Sequence, residues 1–174
     1  GRLLERFGTL LRLGEGIDQS REMLAVARAN LEAASLPHCQ VRQGNLYQLP
    51  NQSESFDLAI IHQVLHFVDD QALAISEAAR VLKPGGQLVI VDFAPHSLER
   101  LREEDNHRRL GFADTEAEGW FTHAGLTPKS TLKLAGSPLT VCIWMAEKPT
   151  PDQLQQTKPA ANQIHLQSAN GISQ

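Results

Sequence analysis

Two short, almost continuous apolar runs, Phe56–Ile61 (FDLAII) and Leu88–Val91 (LVIV), flank a segment in which Ala72, Ile75, Ala79 and Leu82 recur at helical spacing. Apolar runs of this length without alternation predict strands buried on both faces, and the period between them predicts a helix. Asp69-Asp70 supplies the N-cap candidates for that helix. Lys83-Pro84-Gly85-Gly86 ends it, with a cation in the last turn and then residues that cannot continue it. Strand, helix and strand in this order form a right-handed parallel crossover, the unit of an open α/β sheet.

The same alternation of periods continues on both sides. Arg2–Phe7 predicts a short helix and Leu10–Ile17 a strand ending at Asp18. Ser20 caps a helix running to about Ala34, with Met23, Leu24, Ala27 and Leu31 as its apolar stripe. Cys39–Arg42 reads as a brief strand, Gly44-Asn45-Leu46 as a turn, and Tyr47–Ser55 as polar loop. After Phe93 the pattern changes. Pro95–Arg109 is highly charged, with only Leu98 and Leu101 as apolar anchors, and predicts a surface helix or lid. Asp114 and Thr115 cap a helix containing Trp120 and Phe121 that closes at Gly125. Lys129–Leu134 and Leu139–Ala146 form a hairpin around Ala135-Gly136-Ser137-Pro138. From Pro149 the chain is rich in Gln, Pro, Asn and Ser, which predicts a disordered tail over 149–174 with a weak helical signal at Asp152–Gln156. The class is α/β: one domain over 1–148, a mostly parallel sheet covered by helices, and a C-terminal antiparallel hairpin.

Composition narrows the function classes. With 174 residues, 41% hydrophobic and 21% charged, the chain is long enough for one domain with a sizeable core. A net charge of -4 argues against nucleic acid as the main partner. No apolar run approaches the ~20 residues of a membrane span, and no signal-peptide pattern is present. Cys39 and Cys142 fall in separate strands without metal-ligand spacing and read as buried thiols in a reducing cytoplasm. The opening Gly1-Arg2-Leu3-Leu4 lies within a helical pattern and lacks methionine, so the chain is expected to be a fragment without its N-terminal part.

In open α/β sheets ligands bind beyond the C-terminal ends of the strands, which directs attention to Asp18, Asn45, His62, Gln63 and Asp92. A carboxylate at Asp18 can accept both hydroxyls of a ribose, or it can serve the N-terminus of the following helix. Asn45 can pair with an adenine or form a turn. His62, His66 one turn on, and His96 are the candidate bases, although a lone histidine at such a place more often packs than catalyses. His96, Glu99, Glu103 and His107 would share one helical face able to hold a divalent metal or a polar substrate. The arginines among them favour an ion-paired surface helix, and no metal site is assigned.

Specific strings sharpen this reading. Gly16-Ile17-Asp18-Gln19-Ser20-Arg21-Glu22-Met23-Leu24 resembles the second motif of class I S-adenosylmethionine-dependent methyltransferases, and Gly44-Asn45-Leu46-Tyr47-Gln48-Leu49-Pro50 their third. Phe56-Asp57-Leu58-Ala59 and Ala79-Arg80-Val81-Leu82-Lys83-Pro84-Gly85-Gly86 resemble the fourth strand and the following corner of that Rossmann-like sheet. HQVLHFVDD and VDFAPHSLERLREEDNHRRLGF resemble the methyltransferase domain fused behind ArsR-type winged-helix regulators, a group related to the ubiquinone/menaquinone biosynthesis methyltransferases. The resemblance implies that Asp18 binds the ribose of S-adenosylmethionine and that Gln19 and Met23 lie near the adenosine. It implies further that Asn45 and Leu46 flank the adenine and that His62 lines the methionine side, with Gln63 beside it as a further cofactor-binding candidate. The third motif usually carries Asp where this chain has Asn45. Gly1 resembles the last glycine of the family's glycine-rich loop, so that loop and the first strand of the sheet are expected to precede the residues given.

That strand would lie between Leu10–Ile17 and Phe56–Ile61, so both are expected to show unpaired edges. The chain alone is then expected to be poorly stable, inactive and weak in cofactor binding. The activity implied is methyl transfer to a small-molecule acceptor. Arsenite is an improbable acceptor with only two cysteines. The competing readings are a cofactor-sensing regulator without turnover, touching nucleic acid only through a missing N-terminal module, and, more weakly, a nicotinamide oxidoreductase.

Overall fold

Ser20 acts as its position predicts: its hydroxyl accepts from the Met23 backbone N–H at 3.2 Å and opens the helix Arg21–Ala33. The computed structural model describes residues 1–156. In chain order the elements are α1 (Arg2–Phe7), β1 (Gly14–Asp18), α2 (Arg21–Ala33), β2 (Cys39–Gln43), β3 (Phe56–His62), α3 (Gln71–Val81), β4 (Leu82–Phe93), α4 (Arg100–Glu104), α5 (Asp114–His123), β5 (Thr127–Leu134), β6 (Val141–Glu147) and α6 (Pro151–Gln156). Asp70 caps α3 by accepting from Leu73 N at 2.9 Å. α6 occupies the place of the weak helical signal; the rest of the expected tail lies outside the described residues.

The strands form two sheets. β1 and β2 pair in parallel from Gly14↔Cys39 to Asp18↔Gln43. The second sheet has the order β3-β4-β6-β5. β3 and β4 are parallel, while β6 runs antiparallel to both β4 and β5. β1 and β3, expected to flank an absent strand, share no ladder, so each has one edge without a strand partner among the described residues.

One face of the larger sheet carries the core. Ile61, Leu88, Ile90 and Trp144 project toward Ala74, Ile75 and Ala78 of α3 and Ala117 and Phe121 of α5. Each fully buried large aliphatic side chain here contributes about 1.5–3 kcal/mol. The other face differs from expectation. Register aligns Ile60, Val89 and Met145 in one row and Val91, Ile143 and Leu132 in the next, yet Ile60 is 40% and Leu132 52% exposed. β3 is therefore buried on one face only, because the helices that pack on this sheet, α3 and α5, lie on the other side.

Three boundaries also differ. β1 begins at Gly14 rather than Leu10, because pairing starts where β2 starts: Gly14 N donates to His38 O, and a Cβ at Gly14 would lie 2.8 Å from Cys39 Sγ. β4 begins directly after α3 and includes Lys83-Pro84-Gly85-Gly86, which Phe56↔Leu82 pairing and a register shift draw into the sheet; Gly85 adopts φ +79°. The charged segment is helical only over Arg100–Glu104, so His96, Glu99, Glu103 and His107 do not share a helical face. His107 N donates to Leu101 O and its ring turns inward, which breaks the helical course.

Candidate functional site

Two groups of residues gather at the C-terminal ends of the strands. The first lies at the tip of β1, where Gly1, Gly16, Ile17, Asp18, Met23 and Ala27 line a cleft. One Asp18 oxygen accepts from Ser20 N at 2.9 Å, so the carboxylate turns toward the start of α2 while staying exposed. Gly1 approaches α2 so closely that a Cβ there would stand 2.7 Å from that of Ala27. Gly16 leaves a Cβ only 3.0 Å from Val41, which keeps the floor of the cleft at backbone level.

Asn45 and Leu46 sit beside this cleft without lining it. Gly44 N donates to Asp18 O, tying the turn to the β1 tip. The Asn45 side-chain oxygen accepts from Tyr47 N at 2.9 Å, so the turn-forming role is realised. Leu46 leans instead on the main core with Tyr47, whose hydroxyl accepts from the N–H groups of Asp69 and Asp70. The Gln19 carbonyl accepts from Gln43 Nε2 at 3.1 Å and its side chain is exposed.

The second group stands at the tips of β3 and β4. Asp92 is 0% exposed, and its oxygens accept from Leu65 N at 3.1 Å, Phe93 N at 2.8 Å and His66 Nδ1 at 2.7 Å. His66 is buried against Asp92, and the His107 ring packs on it, tilted by 31°, with centroids 4.1 Å apart. Phe67 and Phe93 lie at 4.1 and 5.3 Å from the His66 ring, and His96 at 6.1 Å from Phe93. Backbone bonds fasten the charged segment here: Arg108 N and Arg109 N donate to His66 O, and Phe112 N to Phe93 O. Gly111 makes the close crossing, since a Cβ would stand 2.1 Å from Ala94 O. His96 Nε2 and His107 Nδ1 are buried without partners among the described residues, each at a cost of about 1–3 kcal/mol if left dry.

Burial pushes the His96 and His107 imidazoles below their ordinary range, and the neighbouring His66 adds to this; the carboxylates of Asp92, Asp105 and Glu99 act in the opposite direction. A base with a depressed folded-state value stabilises the fold above its unfolded value, near 6.5, and that contribution fades as pH falls through the folded value. Acidification below about 6.5 is therefore expected to loosen the segment around His107. Hydrogen exchange at the Arg108 and Arg109 amides should accelerate there while the β4–β6 ladder stays protected.

Comparison with known proteins places the arrangement. The family described as "Methyltransferase domain" matches residues 1–90, more than half of the chain. The chain belongs to this methyltransferase family. The demethylmenaquinone methyltransferase of Listeria welshimeri is 40% identical over 77 residues, 44% of this chain and 33% of that protein. YcgJ of Bacillus subtilis, described as an uncharacterized methyltransferase, is 30% identical over 112 residues, 59% of this chain and 44% of its own. Its crystal structure superimposes with a TM-score of 0.73 at 18% identity, covering 86% of this chain and 88% of that one. The geranyl diphosphate methyltransferase solved with S-adenosylmethionine gives a TM-score of 0.66 at 13% identity over 77% of this chain and 68% of its own. The matched stretches span 21% to 44% of the curated relatives' own lengths.

Within this methyltransferase domain the predicted site residues divide. Gly1, Asp18 and Met23 meet in the β1 cleft, whereas His66 and His96 meet at the β4 tip. His62 is exposed on the open sheet face beside Val91, and Gln63 adopts φ +50° with its N–H on Val91 O. Among the described residues, neither side chain makes a hydrogen bond or ion pair with the two groups. The spacing of His107 predicts a helical face shared with His96, Glu99 and Glu103; the structure packs its ring against His66 instead.

Proposed function

We propose that this methyltransferase domain binds S-adenosylmethionine and transfers its methyl group to a small-molecule acceptor in the cytoplasm. The observation that carries this reading is the β1 cleft. Asp18 offers one carboxylate oxygen with no hydrogen-bond partner among the described residues, Gly1 and Gly16 keep side chains out, and Met23 and Ala27 supply an apolar wall. A ribose diol finds its acceptor at Asp18, and the flat adenosine its apolar contacts at Met23; these residues fit the cofactor. Gln19 borders the adenosine. Asn45 retains its amide N–H donors for an adenine edge with Leu46 alongside, and His62 and Gln63 face the methionine side.

Bound there, the cofactor supplies a sulfonium methyl already activated toward displacement. The chain's own residues need only hold the acceptor in line and provide a place for its proton. This accounts for a site without a nucleophile–base pair in the sequence.

Saturation-transfer NMR with S-adenosylhomocysteine, sensitive to weak binding, tests the reading. The adenine and ribose protons should receive saturation from the wild-type chain, and Asp18→Ala should weaken binding about 10–100-fold, the loss of one hydrogen bond to a charged group. Absence of transfer at millimolar ligand would overturn it.

A further inference from the structure

We propose that the chain pairs with a second copy of itself along the outer edge of β2, through an antiparallel β2–β2 ladder flanked by α2 from each copy. β2 has β1 on one side and no strand on the other among the described residues. The bonds at the two ends of the β1–β2 ladder, Gly14 N to His38 O and Gly44 N to Asp18 O, fix which residues of β2 face β1. Such residues alternate along a parallel ladder. Gln40 and Arg42 therefore bond to β1, while Cys39, Val41 and Gln43 turn their N–H and C=O groups outward. The Cys39 N–H is already taken by Leu36 O at 3.0 Å. The N–H and C=O of Val41, the Gln43 N–H and the Cys39 C=O have no hydrogen-bond partner among the described residues.

This set of groups is complementary to itself. About a two-fold axis at Val41, the Val41 residues of the two copies exchange both N–H···O=C bonds, and the Gln43 N–H of each reaches the Cys39 C=O of the other. Cys39 and Val41 pack toward Leu31 of α2. On the opposite face Gln40 of one copy stands across from Arg42 of the other, so no like charges meet in the ladder.

α2 supports the same axis. An open groove of about 460 Å³ runs between it and β2, floored by Leu31, Leu36, Cys39 and Val41. At one end Ser35, with a left-handed φ of +52°, turns the chain out of α2. Arg28 and Glu32 stand on the rim, both exposed, and neither has an ion-pair partner among the described residues although they lie one helical turn apart. The two-fold axis lays the second copy's α2 antiparallel across the groove. Each Arg28 then comes toward the other copy's Glu32, and the apolar floor is covered. A small apolar molecule would fill the groove and leave the outward backbone groups of β2 unmet. A second copy meets the backbone, the groove and both charges.

Sedimentation velocity of the full chain, paired with amide hydrogen exchange at about 10 µM and about 500 µM, tests the pairing. The chain should pass from monomer to dimer over that range, and exchange at the Val41 and Gln43 amides should slow about 10-fold or more with it. Arg28→Glu and Glu32→Arg should each weaken association about 10-fold, and the double variant should restore it. Neither residue lines the β1 cleft, so S-adenosylhomocysteine signals should be the same in all four proteins. A chain that stays monomeric, or a dimer indifferent to both charge reversals, would overturn the proposal. So would a dimer that protects Leu58 and Ile60, which would place the contact on the free edge of β3. Val41 and Gln43 amides protected in the monomer would show that another part of the same chain covers β2, and would overturn it as well.

Discussion

Replacing Asp92 by alanine is expected to destabilise the fold by about 3–5 kcal/mol, the range found when one partner of a buried polar pair is removed. The carboxylate is fully buried and receives three donors, the N–H groups of Leu65 and Phe93 and the His66 ring. Alanine leaves all three in a space too apolar to hydrate them, with His107 and Phe93 packed against the His66 ring. For a domain of this size the loss corresponds to a fall in Tm of roughly 6–20 °C, measurable by circular dichroism. Asp92→Asn separates structure from chemistry. The amide oxygen still accepts from Leu65 N, but its NH2 group takes the place of the oxygen shared by His66 Nδ1 and Phe93 N, forcing the ring hydrogen onto Nε2 and leaving the Phe93 N–H unmet. That variant should cost about 1–3 kcal/mol and retain S-adenosylhomocysteine, while the histidine side-chain 15N spectrum should show the His66 hydrogen moved from Nδ1 to Nε2. An Asp92→Ala protein that melts within 2 °C of wild type would show that water already satisfies these donors.

The crossover from Phe56 to Phe93 was legible because its two signals, unbroken apolar runs and a capped 3.6-residue period, arise from local chemistry. Asp70 and Ser20 cap where composition alone places them. What escaped the sequence depends on partners remote along the chain. The loop Tyr47–Ser55 reads as unanchored polar residues, yet Glu77 accepts from Leu49 N at 2.8 Å and Arg80 donates to the carbonyls of Leu49 and Asn51. The charged segment reads as helix because its anchors Leu98 and Leu101 fit that period. His107 then buries its ring beside His66, and the helix is cut to Arg100–Glu104. Leu58 and Ile60 read as fully buried because periodicity reports apolar character on both sides of a strand, not whether a helix arrives to cover each side. The site was half legible for the same reason. Asp18 announces itself at a strand tip, while the pairing of His66 with Asp92 spans 26 residues and requires the parallel register of β3 on β4.

Trp144→Ala is expected to cost about 3–5 kcal/mol, and the cost should extend to the histidine cluster. Trp144 is 1% exposed on the core face of β6, in register with Ile90 of β4 and Thr131 of β5. Its removal opens a cavity between the sheet and α5, and cavities of that size are rarely relieved by collapse. Its indole N–H also donates to Asp114 at 2.9 Å, at the first turn of α5. Lys133 and the indole together hold the Asp114 carboxyl below the usual carboxylate range, with the lysine the larger cause. Phe112, fully buried, stands between this helix start and the Gly111 crossing that brings Arg108 and Arg109 onto His66. Loosening the start of α5 should therefore loosen the segment that carries His107. Trp144→Phe keeps one aromatic ring and discards the pyrrole part of the indole with its N–H, so about 1–3 kcal/mol is expected, with Lys133 still satisfying Asp114. Denaturant unfolding supplies both stabilities, and hydrogen exchange at the Arg108 and Arg109 amides supplies the connection. Faster exchange in Trp144→Ala than in Trp144→Phe, compared at pH 7.5 where His107 is neutral in both, would show that α5 holds the segment carrying His107 in place. Equal exchange would separate the core of the sheet from the site at its edge.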